Sequence, residues 1–125
     1  MGPRILLVDD EPDTLKVYSD LLRSEGYDVF TAADGEQALS MIDQCKPNAI
    51  LLDVRLPGKS GVEVARELSR GIEKRDIPIV VLTALTVFPE QDEMARLPGV
   101  RRFIYKPCRP RTLLEALSEV FRYRR

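Results

Sequence analysis

Five short apolar runs divide this chain of 125 residues, and four of them are followed by a stretch with clear helical periodicity. The runs lie at residues 4–8, 27–32, 50–52, 77–82 and 100–105. Ile50, Leu51 and Leu52 are apolar without alternation, as strands buried on both faces are. Between the runs, apolar residues recur at helical spacing: Leu15, Tyr18, Leu21 and Leu22, then Ala38, Met41, Ile42 and Cys45, then Val64, Ala65 and Leu68. The last stripe, Leu113, Leu114, Leu117, Val120 and Phe121, is the clearest. Alternating strand and helix signals predict an α/β fold: a doubly wound parallel sheet with right-handed crossovers and helices on both faces. For five strands and five helices, the flavodoxin-like order 2-1-3-4-5 is the best single expectation.

The punctuation agrees with that alternation. Pro12 suits the first turn of a helix, and Gly26 suits its end. Asp34 is an N-cap with Gln37 at the capping-box position, and Ser60 with Glu63 repeats the signature. Lys46-Pro47, Pro57-Gly58, Gly71 and Pro98-Gly99 mark stops and turns. Pro78 belongs near a strand start, where a missing N–H is tolerated. Residues 85–97 are the least legible stretch; Pro89 could open a short helix with Met94, Ala95 and Leu97 as its apolar side.

A length of 125 residues predicts one domain over residues 1–125, able to bury about two-thirds of its unfolded surface without a disulfide or metal staple. The formal net charge of −1 gives no pull towards nucleic acid or an anionic membrane. The basic tail Arg122-Tyr123-Arg124-Arg125 reads as a solvated helix end. Cys45 and Cys108 lack metal-ligand spacing and no signal peptide is seen, so both are expected as reduced thiols in a cytoplasmic protein. No apolar run approaches the length of a transmembrane helix. Histidine is absent, which excludes Ser-His-Asp and Cys-His catalysis and imidazole-based zinc sites. Any phosphohistidine this chain uses must belong to a partner.

Four predicted strands end on polar residues: Asp9-Asp10, Asp53, Thr83 and Lys106. The expected order sets strands 1, 3, 4 and 5 side by side, so these endings converge beside the topological switch point, where such folds bind ligands. Asp53 alone could simply end a strand; the convergence makes it a site residue. Three carboxylates beside one lysine repel one another unless something offsets the charge. A divalent cation would, and a small set of hard oxygens suits Mg²⁺ with several waters retained. Neither a P-loop nor a Gly-rich dinucleotide fingerprint is present.

In this order, the segments Leu6-Leu7-Val8-Asp9-Asp10-Glu11-Pro12, Asp34-Gly35-Glu36-Gln37-Ala38, Leu51-Leu52-Asp53-Val54-Arg55-Leu56-Pro57-Gly58, Leu82-Thr83-Ala84 and Lys106-Pro107 resemble the receiver domain of two-component response regulators, across the whole chain. The resemblance implies a CheY-like version of the expected fold. It implies that Asp53 accepts a phosphoryl group from the phosphohistidine of a histidine kinase or a histidine phosphotransfer protein. It implies Mg²⁺ held by Asp10, Asp53 and the backbone carbonyl of Arg55, with Asp9 acting largely through a metal-bound water. Lys106 and the Thr83 hydroxyl would each meet a phosphoryl oxygen, and the Lys106-Pro107 peptide would be cis. Phe103 would be the aromatic switch that turns inward when Thr83 moves, altering a face made by helix 4, strand 5 and helix 5. Such a unit is a signalling switch that catalyses only its own phosphorylation and dephosphorylation. Its output would pass through a downstream protein target or an output domain elsewhere, with no direct nucleic-acid or membrane binding.

Two other readings are weaker. A haloacid-dehalogenase-type phosphohydrolase needs a second acid two residues after the nucleophile, and Arg55 stands there. A phosphorylation-independent pseudo-receiver usually lacks one of the acids, the threonine or the lysine, and none is lost here. Two departures from the family pattern are notable. Leu85, Val87 and Phe88 are bulky where a polar loop is expected, and are read as covering the site or meeting a partner; Leu85 in particular would shield an acyl phosphate from water. Arg109 precedes the last helix, where a cation opposes the helix dipole.

Overall fold

The computed structural model describes residues 2–122; the basic tail residues Tyr123, Arg124 and Arg125 lie outside them. Five parallel strands, β1 (Arg4–Val8), β2 (Asp28–Ala32), β3 (Ala49–Leu52), β4 (Ile79–Thr83) and β5 (Val100–Tyr105), form one sheet in the order β2-β1-β3-β4-β5, as expected. They alternate with α1 (Pro12–Ser24), α2 (Gly35–Cys45), α3 (Gly61–Arg70), α4 (Gln91–Ala95) and α5 (Pro110–Arg122). A 3₁₀ turn at Lys74–Asp76, which no pattern announced, precedes β4.

The continuous apolar runs are explained by two cores, one on each face of the sheet. Leu6, Val8, Ile50, Leu52, Ile79 and Val81 point to the face covered by Ala38 and Ile42 of α2 and by Val64, Ala65 and Leu68 of α3. Their neighbours Ile5, Leu7, Leu51, Val80 and Leu82 point to the other face, covered by Leu22 of α1 and Leu113, Ala116 and Leu117 of α5. Neighbouring side chains on a strand alternate in direction, so a strand between two helical layers must be apolar at every position.

Local signals hold with small corrections. Ser60 and Glu63 form a full capping box. At α2 the Asp34 side chain accepts from the Gln37 amide, but Gln37 Oε1 accepts from Ala33 N at 2.7 Å, one residue before the cap. β4 starts at Ile79, after Pro78, whose carbonyl still accepts from Ile50 N at 2.9 Å. α4 begins at Gln91, two residues after Pro89, and its apolar side differs from expectation: Met94 is fully buried and Leu97 packs on the core, but Ala95 is exposed. Phe88, expected at the site or a partner surface, is instead buried in the core, and Val87 beside it is exposed. Cys108 packs with the α1–α5 core, its Sγ 3.8 Å from the Tyr18 hydroxyl. Among the described residues, no helix is long and apolar enough to cross a membrane.

Candidate functional site

Register places the acids. Val8 and Leu52 are opposite each other across β1 and β3, so the residues that follow, Asp9 and Asp53, leave the sheet side by side. The Asp53 amide donates to the Val8 carbonyl at 3.1 Å, and the Asp9 amide to the Ala32 carbonyl at 3.1 Å. On the other flank Thr83 is opposite Tyr105, and the Lys106 amide donates to the Thr83 carbonyl at 2.8 Å. Each predicted strand ending is thus fixed by ladder bonds before any side chain is considered.

The side chains then converge. One carboxylate oxygen from each of Asp9, Asp10 and Asp53 lies within 4.8 Å of the other two. Asp9 and Asp53 are buried and Asp10 is exposed, so the cluster opens to solvent on the Asp10 side. Two backbone amides orient the buried pair: Glu11 N donates to Asp9 Oδ1 at 3.0 Å, and Arg55 N to Asp53 Oδ1 at 3.3 Å. The remaining oxygens face Lys106, whose Nζ donates to Asp9 Oδ2 at 2.6 Å and Asp53 Oδ2 at 3.1 Å. Burial is the largest single influence on the lysine and opposes its charge. Hydrogen bonds and attraction from Asp9 and Asp53 together outweigh it, so the Lys106 pKa is raised above the ordinary lysine value. The Lys106-Pro107 peptide is cis, as expected.

Thr83 is fully buried, and its Oγ1 accepts from the Leu85 amide at 3.2 Å. Phe103 is half-buried on the α2–α3 side of the sheet, its ring centroid 6.3 Å from that of Phe88. Sequence reasoning missed Phe88 as its packing partner, because Phe88 sits in a stretch without helical periodicity. It also missed how closely α3 approaches the site. A Cβ on Gly61 would fall 2.0 Å from the Asp53 carbonyl oxygen, so only glycine fits at the first position of that helix.

The donor set suits a hard divalent cation. The clustered side chains offer only carboxylate oxygens, and one ammonium cannot balance three carboxylates. Few ligands and an open, solvated side match Mg²⁺, which keeps several waters, better than ions that need a full protein cage.

Comparison with known proteins agrees. A family described as "Response regulator receiver domain" matches residues 5–118. The chain is 40% identical over 123 residues to the phosphate regulon transcriptional regulatory protein PhoB of Pseudomonas aeruginosa, covering 98% of this chain and 53% of that protein. It is 37% identical over 115 residues to the DNA-binding response regulator MtrA of Mycolicibacterium smegmatis, covering 91% of this chain and 48% of that protein. The chain therefore spans about half the length of these relatives. The solved receiver domain of sensor histidine kinase PA1611 from Pseudomonas aeruginosa PAO1 superposes with a TM-score of 0.85 at 34% identity, covering 95% of this chain and 97% of that one. That structure has a magnesium ion coordinated in its active site cleft. On the extent of these matches the chain belongs to the response regulator receiver domain family, whose members are signalling switches of two-component systems.

Proposed function

We propose that this chain, as one unit over residues 1–125, is switched by transfer of a phosphoryl group from a partner's phosphohistidine to Asp53. The observation that carries this reading is the meeting of three carboxylates with the Lys106 ammonium at the carboxyl ends of β1, β3 and β5. An Asp53 carboxylate oxygen attacks phosphorus as the P–N bond breaks, and the electron pair of that bond leaves with the partner's imidazole. The transition state of such a transfer is loose, so positioning and charge neutralisation supply most of the catalysis. Asp10, Asp53 and the Arg55 carbonyl would hold Mg²⁺, with Asp9 acting largely through a water. When bound there, the ion neutralises charge on the phosphoryl oxygens. Lys106 exchanges its bond to Asp53 for one to a phosphoryl oxygen. The Thr83 hydroxyl, which accepts from the Leu85 amide, donates its own proton to another phosphoryl oxygen, and Phe103 turns inward behind it.

The consequence is a two-state electrostatic input read on the α4-β5-α5 face. Output then passes to a downstream protein or to an output domain elsewhere, without direct nucleic-acid or membrane contact by this unit. The cytoplasm, where thiols stay reduced, is its proposed location. The test is intact-mass measurement after incubation with a small phosphodonor and Mg²⁺. One phosphoryl group should add to the wild type and none to Asp53→Ala. A wild type that stays unmodified, or an Asp53→Ala variant that is modified equally, would overturn the assignment.

A further inference from the structure

The loop after Asp53 is gripped from outside the site. Lys59 Nζ is hydrogen-bonded to Glu67 on α3 and lies 3.3 Å from Glu36 Oε1 in the first turn of α2. The lysine side chain is 22% exposed, and its ammonium bridges the two helices. The backbone is held as tightly. A Cβ on Gly35 would fall 2.1 Å from the Lys59 carbonyl oxygen, so α2 starts directly against the loop. Beyond Lys59, Ser60 caps α3 and Gly61 N donates to the Val54 carbonyl at 2.8 Å. Between these anchors Val54 and Leu56 are buried, and the Arg55 amide reaches Asp53 Oδ1.

We infer that Lys59 is a positioning residue for the Asp53 site: by bridging Glu36 and Glu67 it fixes the loop of residues 53–60, and with it the Arg55 backbone, before cation and phosphoryl group bind. The inference rests on the function proposed above. Among the described residues, the ion pairs of Lys59 are with Glu36 and Glu67, so it acts on the site only through the loop. A loop ordered in advance does not lose that freedom when a ligand arrives, which favours binding. A single exposed ion pair would do little. Here two carboxylates on separate helices share one ammonium, so ordering one side chain serves both bonds.

The test uses the whole chain with Lys59→Met and Lys59→Arg. Mg²⁺ affinity is read by calorimetry, and hydrogen exchange of loop amides 54–60 is read without added metal. Lys59→Met should weaken Mg²⁺ binding about threefold to tenfold, below the range typical of groups bonded directly to a metal ligand. Exchange should quicken in the loop but not in β1 or β5, and Lys59→Arg should restore both readings. Unchanged Mg²⁺ affinity in Lys59→Met, in a wild type that does bind, overturns the inference alone. Exchange that quickens throughout the chain also overturns it, because that is general destabilisation. A wild type that takes up no Mg²⁺ overturns the proposed site and this inference together.

Discussion

Lys106 sits closer to Asp9, at 2.6 Å, than to Asp53, at 3.1 Å. The lysine on β5's end is thus tied most tightly to an acid on the far side of β3, and the tie spans the whole width of the candidate site. Lys106 is 12% exposed and Asp9 only 1%, so little water screens the attraction between their charges. Removing one member of a buried pair leaves the other without compensation, which costs far more than the pair contributes.

Lys106→Met is therefore expected to destabilise the chain. Two buried carboxylates would face each other with no cation between them. A loss of about 1–3 kcal/mol is expected, less than for a fully enclosed pair because Asp10 opens the cluster to water. Urea melts of wild type and variant without divalent metal measure it. A variant as stable as the wild type would show that Lys106 contributes nothing to the resting fold.

Mg²⁺ should oppose the same repulsion. A ligand that binds only the folded state stabilises it by mass action, about 1.4 kcal/mol at tenfold over Kd, or about 5 °C for a chain of this size. Thermal melts with and without millimolar Mg²⁺ should show that rise in the wild type and lose it in Asp10→Ala. Equal melting of the wild type under both conditions would remove the metal assignment.

Leu85 tests how long a phosphoryl group would last. Its amide is bonded to Thr83 Oγ1 and its side chain packs against the core edge beside the site. If Leu85 shields the acyl phosphate, Leu85→Asn would place a polar amide where an apolar group is expected to limit water. The aspartyl phosphate should then be lost severalfold faster, read as the decay of the phosphorylated mass. No change, or slower loss, counts against shielding.

Arg66 and Glu93 join α3 to α4 through two hydrogen bonds, Nε to Oε2 at 2.5 Å and a terminal nitrogen to Oε1 at 2.7 Å. The hydrogen bond from Arg66, against a smaller desolvation effect, lowers the Glu93 pKa from its ordinary value of 4.5. A depressed carboxylate contributes stability that is present above the unfolded pKa and is lost as pH falls through the folded one. The melting difference between wild type and Glu93→Gln should accordingly be small and constant at neutral pH and shrink below about pH 4.5. A difference that grew on acidification would have the wrong sign for this pair.

Much of the frame was legible because parallel strands between two helical layers leave so little choice of residue. Ile50, Leu51 and Leu52 could be read at once, and the polar residues that stop such runs stood out as Asp9, Asp10, Asp53, Thr83 and Lys106. What stayed hidden depends on contacts between distant segments. Nothing near Lys59 in sequence announces that Glu36 reaches it from the preceding helix. α4 has only five residues and a single fully buried side chain, Met94, too little for periodicity to show. Phe88 looked like a surface residue because the loop around it is irregular, yet it fills the space beside Phe103. The 3₁₀ turn at Lys74–Asp76 has no buried residue and so left no apolar signal.

Two glycines after Asp53, Gly58 in the loop and Gly61 opening α3, separate close approach from backbone conformation. Gly58 has φ of +67°, but nothing lies within 4 Å of where its Cβ would be. Gly58→Ala should therefore cost about 1–2 kcal/mol, the penalty of a left-handed conformation with a side chain. Gly61 has the opposite problem. Its added Cβ would meet the Asp53 carbonyl oxygen at 2.0 Å and Val54 Cα at 2.9 Å, and both are backbone atoms that cannot rotate away. To fit alanine, α3 must retreat or the end of β3 must bend, and either moves Asp53 against Asp9 and Lys106. Gly61→Ala should thus cost about 3 kcal/mol or more by overpacking, and any folded fraction should accept a phosphoryl group more slowly than Gly58→Ala does. Denaturant melts and phosphorylation rates of the two variants measure both effects. If Gly61→Ala were the milder change in either measurement, the close packing of α3 on Asp53 would not be what positions the acid.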